Sequence, residues 1–233
     1  MEGPVIALQL ADAAQLCWAQ RTVATHHYLH TPVDVRCQPL AYVLALDYAP
    51  LGCLIFGRPE ATRCYAGGLT YGSQADVAAG RAQFDRWEVL NLARVWLHPD
   101  VQRGGRHYRT DVLPGYTDRR GVWRSALAST AIGWALARVG CDYLRARPPC
   151  FVDEPYVIRA VLSYCDTRRH RGTIYRAAGF TLARTNRAGI ETWYTTAVAG
   201  LDAAQDREIQ ALASIHPRSL SKRAQRAQLA LDI

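Results

Sequence analysis

Apolar runs separated by turn-forming residues predict an alternation of strands and helices along this chain. Two of the runs are joined by Asp47-Tyr48-Ala49-Pro50, a pattern typical of a hairpin. The polar positions of the long run Trp87–Leu97 do not share one strict face, so we expect a central strand with a kink or bulge, ended by His98-Pro99. The predicted strands are Leu40–Leu46, Leu51–Phe56, Trp87–Leu97, Val157–Cys165, Thr181–Leu182 and Glu191–Thr196.

Helical spacing of apolar residues predicts three helices between these strands. They cover Ala11–Gln20, with Asp12 near the start, Trp123–Val139, with Gly140 as the stop, and Gly172–Ala178. Cys141–Tyr156 predicts a short helix and a proline-rich rigid loop. We interpret four further segments as loop or tail: the histidine-rich 25–32, the glycine-rich 67–85, 100–121, and an amphipathic tail 201–233 that Pro217 interrupts.

Composition fits one globular domain of 233 residues, for which we assign 1–200 to the catalytic unit and 201–233 to a basic helical tail. We find no long uncharged apolar run and no leader pattern at the start, so we expect a cytoplasmic protein with no membrane partner. The seven cysteines form no CxxC pair, and we expect most of them to be small buried side chains. The role of the tail stays open: it could be a DNA-binding arm, a disordered end or an oligomer contact, such as that of a homodimer.

The net charge is +8, and arginine supplies nearly all of the positive charge because Lys222 is the single lysine. Guanidinium groups bind phosphate in a bidentate way, which favours a polyanionic partner. An arginine-rich genome would give the same composition. Both interpretations stay open on charge alone.

The densest chemistry lies in the segment 162–180, which reads Leu-Ser-Tyr-Cys-Asp, then Thr-Arg-Arg-His-Arg-Gly, then Thr-Ile-Tyr-Arg-Ala-Ala-Gly-Phe. An apolar run that ends in Ser-Tyr-Cys-Asp predicts a buried strand whose last residues reach the carboxyl edge of a sheet. Open α/β sheets place their ligand sites at that edge. We therefore expect Asp166 at the mouth of a site.

The order of these elements is similar to that of Gcn5-related N-acetyltransferases, which implies an α/β fold with a mixed central sheet flanked by helices. The 162–180 segment also resembles the bacteriophage Mom DNA-modification proteins, a divergent branch of that superfamily. The resemblance runs from about Leu10 to Thr196 and is strongest over Trp87–Phe180. It implies an enzyme that converts the exocyclic amine of adenine in double-stranded DNA to a carbamoylmethyl group, using acetyl-coenzyme A and iron, and so protects phage DNA from restriction.

The resemblance also implies roles for individual residues. Tyr28, Asp166 and Tyr175 would be catalytic, and His27 with Asp166 would bind iron, with His26 or His170 as a possible third ligand. Tyr175 would protonate the departing thiolate, although it could instead be an aromatic lid on Phe180. The histidines could equally be a solvated loop. The implied cofactor-binding residues are Arg94, Ser125, Arg120 and Arg124.

Ser125 lies where a hydroxyl and free amides at a helix start could meet a pyrophosphate, or where the hydroxyl could simply cap the helix. The segment 119–126 departs from the spacing that ordinary acetyltransferases use for the pyrophosphate, so Arg119, Arg120 or Arg124 would supply charge instead. For DNA phosphates the candidates are Arg103, Arg106, Arg109, Arg119, Arg120, Arg168, Arg169 and Arg171, and for stacking on a flipped base they are Tyr28, Tyr108, Tyr116 and Trp123.

Two other functions stay open at this point. A conventional acetyltransferase acting on a small amine or a protein would transfer acetyl groups without iron. A DNA-binding module without catalysis would explain the arginines but not the cluster of His, Asp and Tyr.

Overall fold

The computed structural model describes residues 5–102, 113–146 and 156–200, together with Arg207. The strands are β1 Ile6–Leu10, β2 Leu40–Leu46, β3 Ala49–Gly57, β4 Cys64–Ala66, β5 Leu69–Gly72, β6 Phe84–Asp85, β7 Val89–Leu97, β8 Gly115–Thr117, β9 Trp123–Ser125, β10 Ala160–Asp166, β11 Thr181–Thr185 and β12 Ile190–Thr195. The helices are α1 Ala13–His26, α2 Gln74–Ala78, α3 Pro99–Gln102, α4 Leu127–Leu136, α5 Val139–Ala146 and α6 Thr173–Ala177.

A seven-stranded sheet with the order β1-β2-β3-β7-β10-β12-β11 forms the centre of the molecule. All its neighbouring strands are antiparallel except β7 and β10, which run parallel. The expected α/β fold with a mixed central sheet flanked by helices is therefore confirmed. The hairpin of β2 and β3 turns at Asp47 and Tyr48, both with positive φ (47° and 70°), as hairpin turns of the mirror-image type require.

The expected bulge in the long central strand lies at Ala93. Leu92 pairs with Phe56 of β3 and Arg94 pairs with Ile55, so Ala93 is the extra residue between them. Leu90 and Leu92 before the bulge, and Val95 after it, pack into the same core. The extra residue therefore resets the alternation of side chains between the two faces.

The parallel strands β7 and β10 pair over only a short stretch. Their ladder runs from Ala160 opposite Val89 to Leu162 opposite Asn91, and β7 continues to Leu97 beyond it. The next contact between them is a side-chain bond, in which the Ser163 hydroxyl donates to the Leu92 carbonyl at 2.8 Å. Above that bond the sheet has a gap between two strands at its centre.

Apolar cores cover both faces of the sheet. The largest packs α4, α5 and α6 against one face, through residues such as Leu127, Ile132 and Tyr143. On the other face α1 packs through Ala19 and Val23. Burial of this apolar area on both sides is the main stabilising contribution to the fold.

Several local predictions were wrong, each because a contact distant in sequence overrides the local pattern. Segment 67–85 is not all loop: it forms β5, α2 and β6, because Ser73 and Asp76 cap α2 reciprocally and β5 pairs with β4 and β6. The helix predicted from Trp123 begins at Leu127, since Trp123–Ser125 pairs as β9 with β8. Gly140 does not stop a helix but lies inside α5, where residues 198 and 199 pack closely over it.

Helix α1 is longer than predicted and takes in Thr25 and His26, which we expected in a loop. Five of the cysteines are buried as expected, Cys17 is exposed, and Cys150 lies outside the described residues. The tail 201–233 lies outside them too, apart from Arg207. None of the helices in the described part of the chain is long and apolar enough to span a bilayer.

Candidate active site

A cavity of about 450 Å³ occupies the gap between β7 and β10. Strand β7 lines it with Asn91, Ala93, Arg94 and Val95, and β10 lines it with Tyr164 and Cys165. The segment after α1 contributes His27, Tyr28 and Leu29. Residues 170–175, with Glu60 and Ala61, complete the wall. The volume suits a single small-molecule or nucleobase group.

His27 is placed by the end of α1. The capping box of Asp12 and Gln15 fixes the start of this helix, and the His27 amide donates to the Val23 carbonyl at its end (3.0 Å). Burial, followed by the nearby charges of Arg94, His170 and His30, lowers the pKa of His27 to about 4. The ring is therefore neutral at neutral pH. Its Nδ1 accepts the Leu29 amide hydrogen at 3.3 Å, which leaves the ring proton on Nε2.

Tyr28 links the two segments that sequence analysis singled out. Its ring lies 4.4 Å from that of His27 and 5.2 Å from that of His170, measured between centroids. The Arg169 guanidinium lies over the same ring at 5.4 Å, a cation–π arrangement. Burial, with the charges of Cys165 and Asp166 adding to it, raises the pKa of the Tyr28 phenol.

Arg94 lies in the β7 wall just after the bulge. Its guanidinium donates to the carbonyl of Ala93 at 2.8 Å and to the Thr31 hydroxyl at 3.1 Å. The side chain thus ties the loop after α1 to the central strand. Because it is half buried, its charge also acts on His27.

Tyr175 lines the cavity from α6. It is 9% exposed, and burial raises the pKa of its phenol to about 12, against a smaller opposing effect of its hydrogen bond with Ser163. The ring packs on Trp193 and Phe180 at centroid distances of 6.2 and 5.7 Å. The phenol keeps its proton at neutral pH and can donate it.

The turn before α6 requires glycine. Gly172 has φ of 64°, and a Cβ at this position would lie 2.5 Å from the Trp193 ring. The close approach brings α6 down onto the sheet, and this contact sets where the Tyr175 phenol lies.

Asp166 ends β10 as predicted, but its carboxylate is taken up by Arg168. Both oxygens accept from that guanidinium, at 2.9 and 2.8 Å, and one also accepts the Arg168 amide. The Arg168 hydrogen bonds lower the pKa of Asp166 to about 2. Its backbone carbonyl accepts the amides of Arg169 and His170, so Asp166 shapes the turn that carries these two residues.

Asp166 is not among the residues that line the cavity. As arranged, the predicted ligands do not fit a bound iron. With Nδ1 of His27 accepting a hydrogen bond and Nε2 protonated, the ring offers no lone pair to a metal. The Asp166 oxygens are held by Arg168. No group of three His, Cys, Asp or Glu side chains suited to a metal occurs within residues 5–102, 113–146 and 156–200. The assignment of His27 and Asp166 as ligands stays a prediction.

The three other residues predicted to bind the cofactor lie outside this cavity. The Ser125 hydroxyl accepts the Leu127 amide hydrogen at 3.3 Å, just before α4, whose N-cap is Ala126. Arg124 pairs with Asp118 at 3.0 Å, and Arg120 lies in the turn between β8 and β9. Arg94 alone of the predicted cofactor-binding residues lines the cavity.

The predicted DNA-contacting residues are distributed unevenly. Arg169 and Arg171 lie at the cavity, Arg168 pairs with Asp166, and Arg119 lies in the turn between β8 and β9. Tyr116 is 61% exposed on β8, whereas Trp123 packs against Gly115. Arg103, Arg106, Tyr108 and Arg109 lie outside the described residues.

Sequence reasoning missed several polar residues of the site, among them Ser163, Asn91 and the cavity-lining Glu60. Ser163 is fully buried and connects Tyr175 with β7. Asn91 lines the cavity, and its Oδ1 is buried with no hydrogen-bond partner in the described part of the chain. The available signal was the same for Ser163 and Asn91: a small polar side chain among the apolar residues of a strand.

No family model matches the sequence, and no curated protein matches it. Solved structures with a similar chain path include a GNAT-family acetyltransferase from Bacillus cereus (10% identity, TM-score 0.42, covering 82% of this chain and 97% of the other). The ribosomal-protein-S18-alanine N-acetyltransferase of Escherichia coli is 12% identical with a TM-score of 0.40, and the match covers 85% of this chain and 97% of the other. An aminoglycoside acetyltransferase solved with coenzyme A and kanamycin is 12% identical with a TM-score of 0.40, and the match covers 88% of this chain and 99% of the other. At these values the likeness does not assign the chain to that family.

Proposed function

We propose that this protein is an acyl-coenzyme A-dependent transferase that modifies the exocyclic amine of adenine in double-stranded DNA. The observation that carries the proposal is the composition of the cavity between β7 and β10. Tyr28 lies tilted against the rings of His27 and His170, with Arg169 over it, and Tyr175 adds a phenol that keeps its proton. Aromatic side chains that can hold a planar base and a proton donor thus share one cavity.

The transfer step balances with the residues of the cavity. The amine nitrogen attacks the thioester carbonyl carbon, the new N–C bond forms, and the C–S bond breaks with its electron pair on sulfur. Tyr175 gives its proton to the departing thiolate, and the proton lost by the amine restores the phenol. The Nε2 hydrogen of His27 donates to the carbonyl oxygen as negative charge develops on it.

The acceptor side fits a base that has been flipped out of the duplex. A flipped base is usually held by stacking on aromatic rings, and Tyr28 with His170 offers such a surface. Arg169 and Arg171 lie beside it and would contact the phosphates on either side of the base. The acyl donor enters from the side of Tyr175.

Iron takes no part in this step, because the described residues do not fit it. The carbamoylmethyl product of the Mom proteins contains a nitrogen that an acetyl group does not supply. The cavity residues account for acyl transfer to the amine, which gives an N-acyl adenine. The two products differ by one NH unit, so their masses distinguish them.

The test uses the full chain, acetyl-coenzyme A and a duplex with one adenine, followed by digestion to nucleosides and mass spectrometry. We expect N-acyl adenine from the purified protein and none from Tyr175→Phe. A carbamoylmethyl adenine would extend the resemblance to the complete Mom reaction. Unmodified adenine from a folded protein would refute the proposal, and acetylation of a small amine or protein by the same preparation would establish a conventional acetyltransferase instead.

A further inference from the structure

Asn91 is the last residue of β7 in its ladder with β10, at the inner end of the cavity. Its Oδ1 is buried and has no hydrogen-bond partner among the residues that the structure describes. A buried acceptor without a partner destabilises the folded protein, because it has lost its hydrogen bonds to water. Such a group in a folded protein calls for an explanation, and an absent ligand is one.

The fold itself gives no reason for an amide here. Val89, Leu90 and Leu92, the neighbours of Asn91 on β7, are fully buried apolar residues. Asparagine is depleted in strands, and its backbone groups serve the ladders with β3 and β10 without any help from the side chain. The carboxamide therefore contributes to the cavity and not to the sheet.

We propose that the Asn91 carboxamide binds the amino edge of the acceptor base, with Oδ1 accepting a hydrogen from the 6-amino group. This inference rests on the proposed function. A carboxamide presents an acceptor beside a donor, and adenine presents an amine donor beside a ring-nitrogen acceptor, so the two edges are complementary. The bond to Oδ1 uses one amine hydrogen and orients the nitrogen for attack. It makes Asn91 a residue that determines specificity.

The contacts available to the other cavity residues support the assignment of base recognition to Asn91. Tyr28 and His170 contact a base through their ring faces, which every base offers. The Tyr175 phenol faces the thioester in the proposed reaction. Asn91 is thus a group at the inner end of the cavity, with an acceptor unpaired among the described residues, that can distinguish one base edge from another.

The test is a double-mutant cycle on DNA binding without acyl donor. One duplex carries a single adenine, and the other carries unsubstituted purine, which lacks the 6-amino group, at the same place. For each protein we take the ratio of its affinities for the adenine duplex and the purine duplex. We expect this ratio to be about tenfold larger for the wild-type protein than for Asn91→Leu. Purine flips out of the duplex more easily than adenine, but this difference is the same for both proteins and cancels. Asn91→Asp keeps an acceptor and should keep the preference. Asn91→Ala replaces Asn91→Leu if the larger apolar side chain impairs folding.

Equal ratios for wild type and Asn91→Leu would overturn the inference while leaving the proposed function intact. A purely structural role would weaken binding of both duplexes alike and lower the melting temperature, which also overturns it. If the wild-type protein neither modifies adenine nor distinguishes the two duplexes, the proposed function fails, and the inference fails with it.

Discussion

The Ser163 hydroxyl donates to the Leu92 carbonyl at 2.8 Å, immediately above the last ladder pair between β7 and β10. The same side chain forms the hydrogen bond of the Tyr175 phenol. One buried hydroxyl therefore connects the end of the β7–β10 ladder with the phenol of Tyr175. Residue 163 belongs to both the sheet and the site.

Replacing Ser163 with alanine should lower the free energy of unfolding by about 1–3 kcal/mol, because the Leu92 carbonyl is left buried without a donor. Urea unfolding monitored by circular dichroism would measure this. Ser129→Ala is the matched control, since its hydroxyl bonds a carbonyl of its own helix, and should stay within about 0.5 kcal/mol. Equal effects of the two variants would contradict the role of Ser163.

Tyr175→Phe removes the proton donor and leaves the packing on Trp193. We expect kcat to fall about 100-fold or more, as for loss of a general acid, with little change in stability. Initial rates with acetyl-coenzyme A and duplex DNA would show this. Tyr42→Phe, which removes a buried phenol of β2 that donates to Asp142, should keep the wild-type rate; a similar loss in both variants would argue for a general effect of buried phenols.

The lowered pKa of His27 predicts a pH dependence of stability. Unfolding returns the pKa from about 4 to its ordinary value of 6.5, so between these values the unfolded chain binds a proton that the folded chain does not. The wild-type free energy of unfolding should therefore fall as the pH decreases from 6.5 to 4. In His27→Gln this part of the slope should be missing, and the two curves should run parallel above pH 6.5. Parallel curves at every pH would contradict the prediction.

Asp166 and Arg168 form one ion pair, so Asp166→Asn and Arg168→Ala should impair the reaction to a similar extent by loosening the turn that carries Arg169 and His170. Elemental analysis should give the same iron content in both variants and in the wild-type protein. A loss of stoichiometric iron and activity in Asp166→Asn alone would instead support Asp166 as a metal ligand.

Arg169→Ala and Arg171→Ala should each weaken DNA binding at every sequence and reduce the slope of log K against log salt by about 0.9. Titrations with labelled duplex at several salt concentrations would measure the slopes. Arg138→Ala is the control, because the Arg138 guanidinium donates to the Leu8 carbonyl of β1, at the far edge of the sheet from the cavity. An unchanged slope in Arg169→Ala and Arg171→Ala would exclude them from the DNA surface.

The sheet could be predicted from the sequence where long apolar runs determine it. β2, β3, β7 and β10 follow from their apolar runs, and the bulge follows from the irregular polar positions of β7. The small sheet of β4, β5 and β6 could not be predicted, because strands of two to four residues carry no periodic signal. The start of α4 was missed because the contact of Trp123 with Gly115 has no local signature.

The site was predictable only as two separate segments. The sequence marks His27-Tyr28 and the segment ending at Tyr175, and in the fold the rings of Tyr28 and His170 meet at 5.2 Å. The ion-pair partner of Asp166 was not predicted, because the sequence places several arginines close to that carboxylate and does not show which of them binds it. The part played by Asn91 depends on where two strands separate, which is a property of the sheet and not of either strand.

Ala93 gives the central strand one residue more than its alternation needs. Without it, Leu90, Leu92, Val95 and Leu97 would follow at strict two-residue spacing, and all four contribute to the same core as they stand. A shortened chain would thus meet every packing requirement of a regular strand. One extra residue in β7 therefore lets the strand keep its apolar face in the core while Ala93 and Arg94 line the cavity.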